Sequence, residues 1–211
     1  LTSTGPVNIK HNLSLDDISG LGALTQVNGV LEINDNDALV AIPALSHLST
    51  LSGDLLINNN AKLENIDGLS SIESIPNGSL EIKDNTKLDD INGLRNLETV
   101  NGNLTIHNNG RLDYLNSTVP LTSGGLESLE SIGGNLDITD NPLGDLIGLG
   151  RTSVLGYPTL DVGGHITIHD NDSLLSLAGM ESLERVTDLT ITNNDELVDI
   201  APLHTLQFTT I

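Results

Sequence analysis

The sequence predicts an all-β chain wound as a solenoid of about eight 24-residue coils with an internal asparagine ladder. Three observations predict it. A strand core of the form L-x-I-x-x-N recurs eight times along the chain. Between copies, apolar residues fall at every third position and glycines mark the corners. The apolar residues are almost wholly Leu, Ile, Val and Ala, with Tyr114, Tyr157 and Phe208 the only aromatics. Branched aliphatics suit the narrow interior of stacked small coils, whereas layered globular cores use aromatics to fill irregular space.

The strand cores are VNIKHN (Val7 to Asn12), LEINDN (Leu31 to Asn36), LLINNN (Leu55 to Asn60), LEIKDN (Leu80 to Asn85), LTIHNN (Leu104 to Asn109), LDITDN (Leu136 to Asn141), ITIHDN (Ile166 to Asn171) and LTITNN (Leu189 to Asn194). Alternation in L-x-I puts the first and third residues on one face, which defines a strand with one buried side. The eight closing asparagines, Asn12, Asn36, Asn60, Asn85, Asn109, Asn141, Asn171 and Asn194, are poor strand and helix formers. At a corner their side chains can turn inward and satisfy amides that the stack hides from water.

The spacing that follows, as in Leu94, Leu97 and Val100, predicts a tight helical turn or a bent strand. Gly20, Gly68, Gly93, Gly125, Gly148 and Gly179 precede the next apolar residue, where a sharp turn predicts positive φ. Successive strand cores are separated by 24, 24, 25, 24, 32, 30 and 23 residues. The whole chain therefore forms a single domain, residues 1–211, with loop insertions near 116–125 and 150–158. Coils stacked about 4.8 Å apart place equivalent leucines in columns and make a rod roughly 40 Å long.

The run LETVNGNLTIHNNGRLDYL, Leu97 to Leu115, resembles the receptor L domain, a leucine-rich-repeat-like solenoid module that also occurs in bacterial-type surface proteins. The resemblance implies a right-handed β-helix, an extracellular or cell-surface setting and a binding or adhesive role, with no catalytic residues to carry over. Receptor L domains are usually capped by disulfides and carry aromatics on the binding face. This chain has no cysteine and few aromatics, so hormone-receptor function is not implied.

The formal charge of −21, from 29 acidic against 8 basic residues, argues against nucleic acid or an anionic membrane surface as partner. No run of 18 apolar residues occurs, so direct membrane insertion is not expected. The chain begins inside a repeat and neither end carries a polar cap, so flanking domains are expected to cover the outer coils.

Outward strand positions form two columns. One is Asn8, Glu32, Leu56, Glu81, Thr105, Asp137, Thr167 and Thr190; the other is Lys10, Asn34, Asn58, Lys83, His107, Thr139, His169 and Thr192. The threonine-rich second half fits a hydroxyl array of the kind used by ice-binding (antifreeze) solenoids, or simply the preference of threonine for exposed strands. His107 and His169 stand two coils apart, about 9.6 Å, too far to share one metal ion. His165 and His169 are about 13 Å apart along a strand, also too far. No nucleophile–histidine–acid set and no phosphate loop is evident, so no enzyme is expected.

No cofactor is expected, with calcium the one candidate ion. Asp35, Asp84, Asp140 and Asp170 precede ladder asparagines and could offer it oxygen ligands between coils, although corner aspartates also cap turns. Sequons occur at Asn12, Asn77, Asn103, Asn116 and Asn171; Asn12 and Asn171 are ladder residues and should be hidden.

The insertions interrupt consecutive coils, so they should lie side by side, and loops of this kind often carry binding. Asn116, Thr118, Arg151 and Tyr157 are the candidate contact residues there, beside Thr105, His107, Thr139, Thr167, His169, Thr190 and Thr192 on the strand face. The expected function is a non-enzymatic extracellular binding or adhesion module for an unidentified protein or surface ligand. Ice binding and a passive structural spacer are the alternatives.

Overall fold

A computed structural model describes residues 2–43, 45–115, 125–150, 159–183 and 185–208. Among them the chain is all-β: every paired strand is parallel, and helix is confined to short 3-10 segments such as Asp67–Leu69 and Asn92–Leu94. The eight strand cores form one eight-stranded sheet, from Val7–Lys10 through Leu31–Asn34, Leu55–Asn58, Leu80–Lys83, Leu104–His107, Leu136–Thr139 and His165–His169 to Asp188–Thr192. Strand order follows the sequence, one strand per repeat, so each repeat forms a rung on its predecessor. The register has no slip: Leu104 pairs with Leu80 and Leu136, and Ile106 with Ile82 and Ile138.

Two-residue strands form the smaller parallel sheets. Ser3–Thr4, Gln26–Val27 and Thr50–Leu51 make one, Ser74–Ile75, Thr99–Val100, Ser131–Ile132 and Asp161–Val162 a second, and Arg185–Val186 with Gln207–Phe208 a third. Every third residue points inward because i to i+3 hydrogen bonds follow one another. Leu94 N–H donates to Ile91, and Leu97 N–H to Leu94. The triplet spacing thus becomes a 3-10 turn followed by a short strand.

The core is a set of aliphatic columns. Leu31, Leu55, Leu80, Leu104 and Leu136 are fully buried, as are Ile33, Ile57, Ile82, Ile106 and Ile138. Each such side chain contributes about 1.5 to 3 kcal/mol when taken out of water. The outermost rungs lack one neighbour. Val7, Ile9, Leu15 and Leu21 at one end, and Leu189, Ile191, Leu197, Leu203 and Leu206 at the other, are half-buried.

The ladder is continuous. Asn36, Asn60, Asn85, Asn109, Asn141 and Asn171 are buried, each donating its main-chain N–H to the side-chain oxygen of the next asparagine. Their side-chain amides donate backward to the carbonyls of Ile9, Ile33, Ile57, Ile82, Ile106 and Ile138. At the ends the environment changes: Asn12 is exposed and Asn194 half-buried. The expectation that Asn12 is hidden is therefore corrected, because no rung covers it; Asn171 is buried as expected.

The expected positive φ at corner glycines holds for Gly125, Gly148 and Gly179 and fails for Gly20, Gly68 and Gly93. Those three lie in 3-10 turns. At Gly68 and Gly93 glycine is needed for close approach: an added Cβ would sit 2.0 Å from the Ile42 carbonyl oxygen or 1.9 Å from that of Ile66. The left-handed conformation falls instead on the residue before each ladder asparagine. His11, Asp35, Asn59, Asp84, Asn108, Asp140, Asp170 and Asn193 have φ between 51° and 58°. Asn and Asp tolerate that region better than other side chains, which explains the Asp/Asn preference there.

Candidate functional site

The eight-stranded sheet presents its outward columns as the sequence predicts. Thr105 lies opposite Asp137, Asp137 opposite Thr167, and Thr167 opposite Thr190. Beside them, His107 pairs with Thr139, Thr139 with His169, and His169 with Thr192. The first four strands carry ion pairs, Lys10 Nζ to Glu32 at 2.9 Å and Lys83 Nζ to Glu81 at 3.1 Å, and Asn58 donates to Glu81 at 2.7 Å. The last four carry hydroxyls, imidazoles and the carboxylates of Asp137 and Asp188, with no lysine or arginine at an outward strand position. Thr190 and Thr192 are exposed, and Thr105, Thr167, His107 and His169 half-buried. Thr139 departs from expectation: it is buried, and its hydroxyl meets His107 Nδ1 at 2.8 Å, so its neighbours remove it from the contact face.

Each histidine of this surface leans on an aspartate through Nδ1. His107 reaches Asp140 at 3.2 Å, His169 reaches Asp170 at 2.8 Å, and His165 reaches Asp188 at 3.4 Å. The Thr139 and Asp140 contacts of His107 use the same ring nitrogen, so the imidazole does not bridge them as a relay would. Among the described residues no group of three or more histidine, aspartate or glutamate side chains is placed to hold a metal ion. Asp35, Asp84, Asp140 and Asp170 are instead the left-handed corner residues; Asp35 meets His11 at 2.7 Å, and Asp84 accepts from Asn108 at 2.7 Å.

Asn116, Thr118, Arg151 and Tyr157 lie outside the described residues, as does nearly all of both insertions. Their described borders do adjoin. Leu126 and Leu149 form a parallel bridge, and Gly150 N–H donates to the Leu126 carbonyl at 3.0 Å. The end of the first insertion is thereby tied to the start of the second.

Two features escaped the sequence reading. Asp17, Asp90, Asp145 and Asp199 cap the 3-10 turns or corners, each Oδ1 accepting the N–H two residues on, from Ser19, Asn92, Ile147 and Ala201. Their fixed place one residue before an Ile or Leu is the signal that could have revealed them. Burial raises the Asp90 carboxyl above its ordinary pKa, with Asp67 and Asp89 adding to the rise against the Asn92 N–H. Burial also raises Asp145, aided by Glu181 and opposed by the Ile147 N–H. Asp17 is lowered, chiefly by the Ser19 hydroxyl and then by the Ser19 N–H.

The second feature is an apolar strip. Val198 N–H donates to Leu175, Leu175 to Gly144, and Gly144 to Asp113, which places these residues on successive rungs. Leu175 and Val198 are 50% and 86% exposed, and Tyr114, 39% exposed, stands over Gly144. The strip begins at Asp113 and Tyr114, just ahead of the first insertion.

No protein-family model matches the chain, and no significant match exists among curated proteins. Among the described residues no helix is long and apolar enough to cross a membrane.

Proposed function

We propose that the chain is a non-enzymatic binding or adhesion module of a secreted or cell-surface protein, built as a right-handed β-helical solenoid of receptor L-domain-like type. The observation that carries this reading is the outward face of the eight-stranded sheet. Its first half is closed by lysine–glutamate pairs, whereas its second half leaves the Thr105, Thr167, Thr190 and Thr192 hydroxyls half-buried or exposed beside histidines that lean on aspartates. A fixed array of this kind gives a ligand many weak, evenly spaced hydrogen-bonding positions at little cost in side-chain ordering. The Tyr114–Leu175–Val198 strip adds exposed apolar surface. Half-buried aliphatics on the outer rungs fit cover by flanking domains.

Binding to arrays of glycans, matrix proteins and cells tests the reading. Wild type is compared with a T167A/H169A/T190A variant and with a variant lacking residues 117–123. The expected result is a ligand that wild type binds and at least one variant loses, with melting temperature retained. Equal binding by all three rejects the assigned surface, and absence of any ligand favours a passive spacer. Ice binding draws on the neighbouring Thr167, Thr190 and Thr192, but Asp137 and His169 interrupt the array. Thermal hysteresis of the wild type decides that alternative.

A further inference from the structure

The chain contains five Asn-Gly pairs, at Asn28, Asn77, Asn92, Asn101 and Asn109. Such pairs are open to a backbone reaction, because glycine offers no Cβ to hinder its own amide nitrogen from approaching the preceding side-chain carbonyl carbon. Four of the five are restrained. Asn28 donates its side-chain amide to the Thr4 carbonyl and the Ser3 hydroxyl. Asn92 has its side-chain oxygen buried within a 3-10 turn. Asn101 donates to the Pro76 carbonyl at 2.7 Å, and the N–H of its glycine, Gly102, is held by the Gly78 carbonyl at 2.8 Å. Asn109 is a fully buried ladder residue.

Asn77 lacks the side-chain restraint that the other four have. Among the described residues its exposed side chain finds no hydrogen-bond partner, and the N–H of Gly78, unlike that of Gly102, finds no acceptor. The repeat explains why. The spacing from Leu55 to Leu80 is 25 residues against 24 on either side, so this rung carries one extra residue. Pro76 occupies the level of Asn101, to whose side chain its carbonyl is bonded. Gly78 packs between Gly53 and Gly102: an added Cβ on Gly78 would lie 2.4 Å from the Gly53 carbonyl carbon, and one on Gly102 2.7 Å from the Gly78 oxygen. Asn77 is left over between two matched positions, with no counterpart on either neighbouring rung.

We propose that Asn77 is a site of spontaneous covalent modification. Solvent base removes the Gly78 amide proton, and the nitrogen attacks the Asn77 side-chain carbon. The C–N bond of the side-chain amide breaks, and its nitrogen takes a proton from water and leaves as ammonia. Water then opens the five-membered succinimide at either carbonyl, giving aspartate or isoaspartate. The product places a new carboxylate at an exposed corner and, as isoaspartate, lengthens the backbone at a position with no matched residue on the neighbouring rungs. This inference is independent of the binding reading.

The test incubates the wild-type protein, made in a bacterial cytosol so that no glycan is attached, at mildly alkaline pH in native buffer and in denaturant. Peptide mass mapping and isoaspartyl methyltransferase labelling follow each Asn-Gly pair. In native buffer Asn77 is expected to convert roughly tenfold faster than any of the other four, the factor that one or two net hydrogen bonds on the barrier produce. In denaturant the five rates should converge. Conversion of another pair as fast as Asn77 in the native protein overturns the proposal. So does an intact Asn77 in native buffer when the denatured sample converts.

Discussion

The side-chain oxygen of Asn141 accepts both the main-chain and the side-chain N–H of Asn109, at 3.1 and 3.3 Å. One buried oxygen thus satisfies two donors of the preceding rung, and the remaining side-chain hydrogen of Asn109 goes back to Ile82 at 3.0 Å. No other short side chain offers an acceptor and two donors in one plane. The asparagine that is out of place in a strand by local preference is therefore required by the stack.

Glycine at the 3-10 turns is predicted to matter only where a rung lies beneath it. G93A forces a methyl group against the Ile66 carbonyl oxygen and should cost about 3 kcal/mol. G20A meets nothing within 4 Å and should be neutral or gain up to about 1 kcal/mol through the unfolded chain. Denaturant titration of the two variants checks the contrast, and a comparable loss in both would rule out rung contact as its cause.

At the left-handed corners the requirement is conformational. Asn59 is exposed with φ of 55°, so N59G should keep wild-type stability within about 0.5 kcal/mol. N59V places a β-branched residue in that region and should cost roughly 1 to 2 kcal/mol. Equal melting temperatures for the two variants would show that the corner relaxes.

The capping aspartates predict opposite pH responses. Asp90 binds its proton more tightly folded than unfolded, so its ionisation costs stability above the folded pKa. That cost is relieved as pH falls from the raised folded value towards the ordinary one. Asparagine retains the acceptor for the Asn92 N–H, so D90N should melt no lower than wild type at neutral pH, with any advantage fading in acid. Asp17 is lowered, so its contribution is present above the ordinary aspartate pKa and is lost as pH falls through the lowered one. D17N should melt lower than wild type at neutral pH, and the difference should close in acid. Melting curves across that range check both signs.

Much of the architecture was legible because a repeat reports the same physics eight times over. The L-x-I alternation placed Leu104 and Ile106 inward and Thr105 and His107 outward, as the sheet does. Thr139 misled because alternation gives a face but not the cover supplied by neighbours such as His107. Gly68 and Gly93 misled for a related reason: a turn glycine and a close-approach glycine look alike until the adjacent rung is present. Asp90 was missed because its role depends on one N–H two residues away, a local bond betrayed only by the recurrence of aspartate before an Ile or Leu. At the candidate surface the columns were legible, whereas the exposed strip of Leu175 and Val198 was hidden among many similar core aliphatics.

The ladder is tested most directly by comparing the stability of N109A with that of N12A under one set of conditions. Asn109 is enclosed by rungs on both sides, so its loss strands buried donors and acceptors and should cost about 1 to 3 kcal/mol. Asn12 stands exposed on the outermost rung, and its loss should cost about 0.5 kcal/mol or less. Equal losses, or an N109A melting temperature unchanged from wild type, would contradict the ladder as the element that holds the rungs in register.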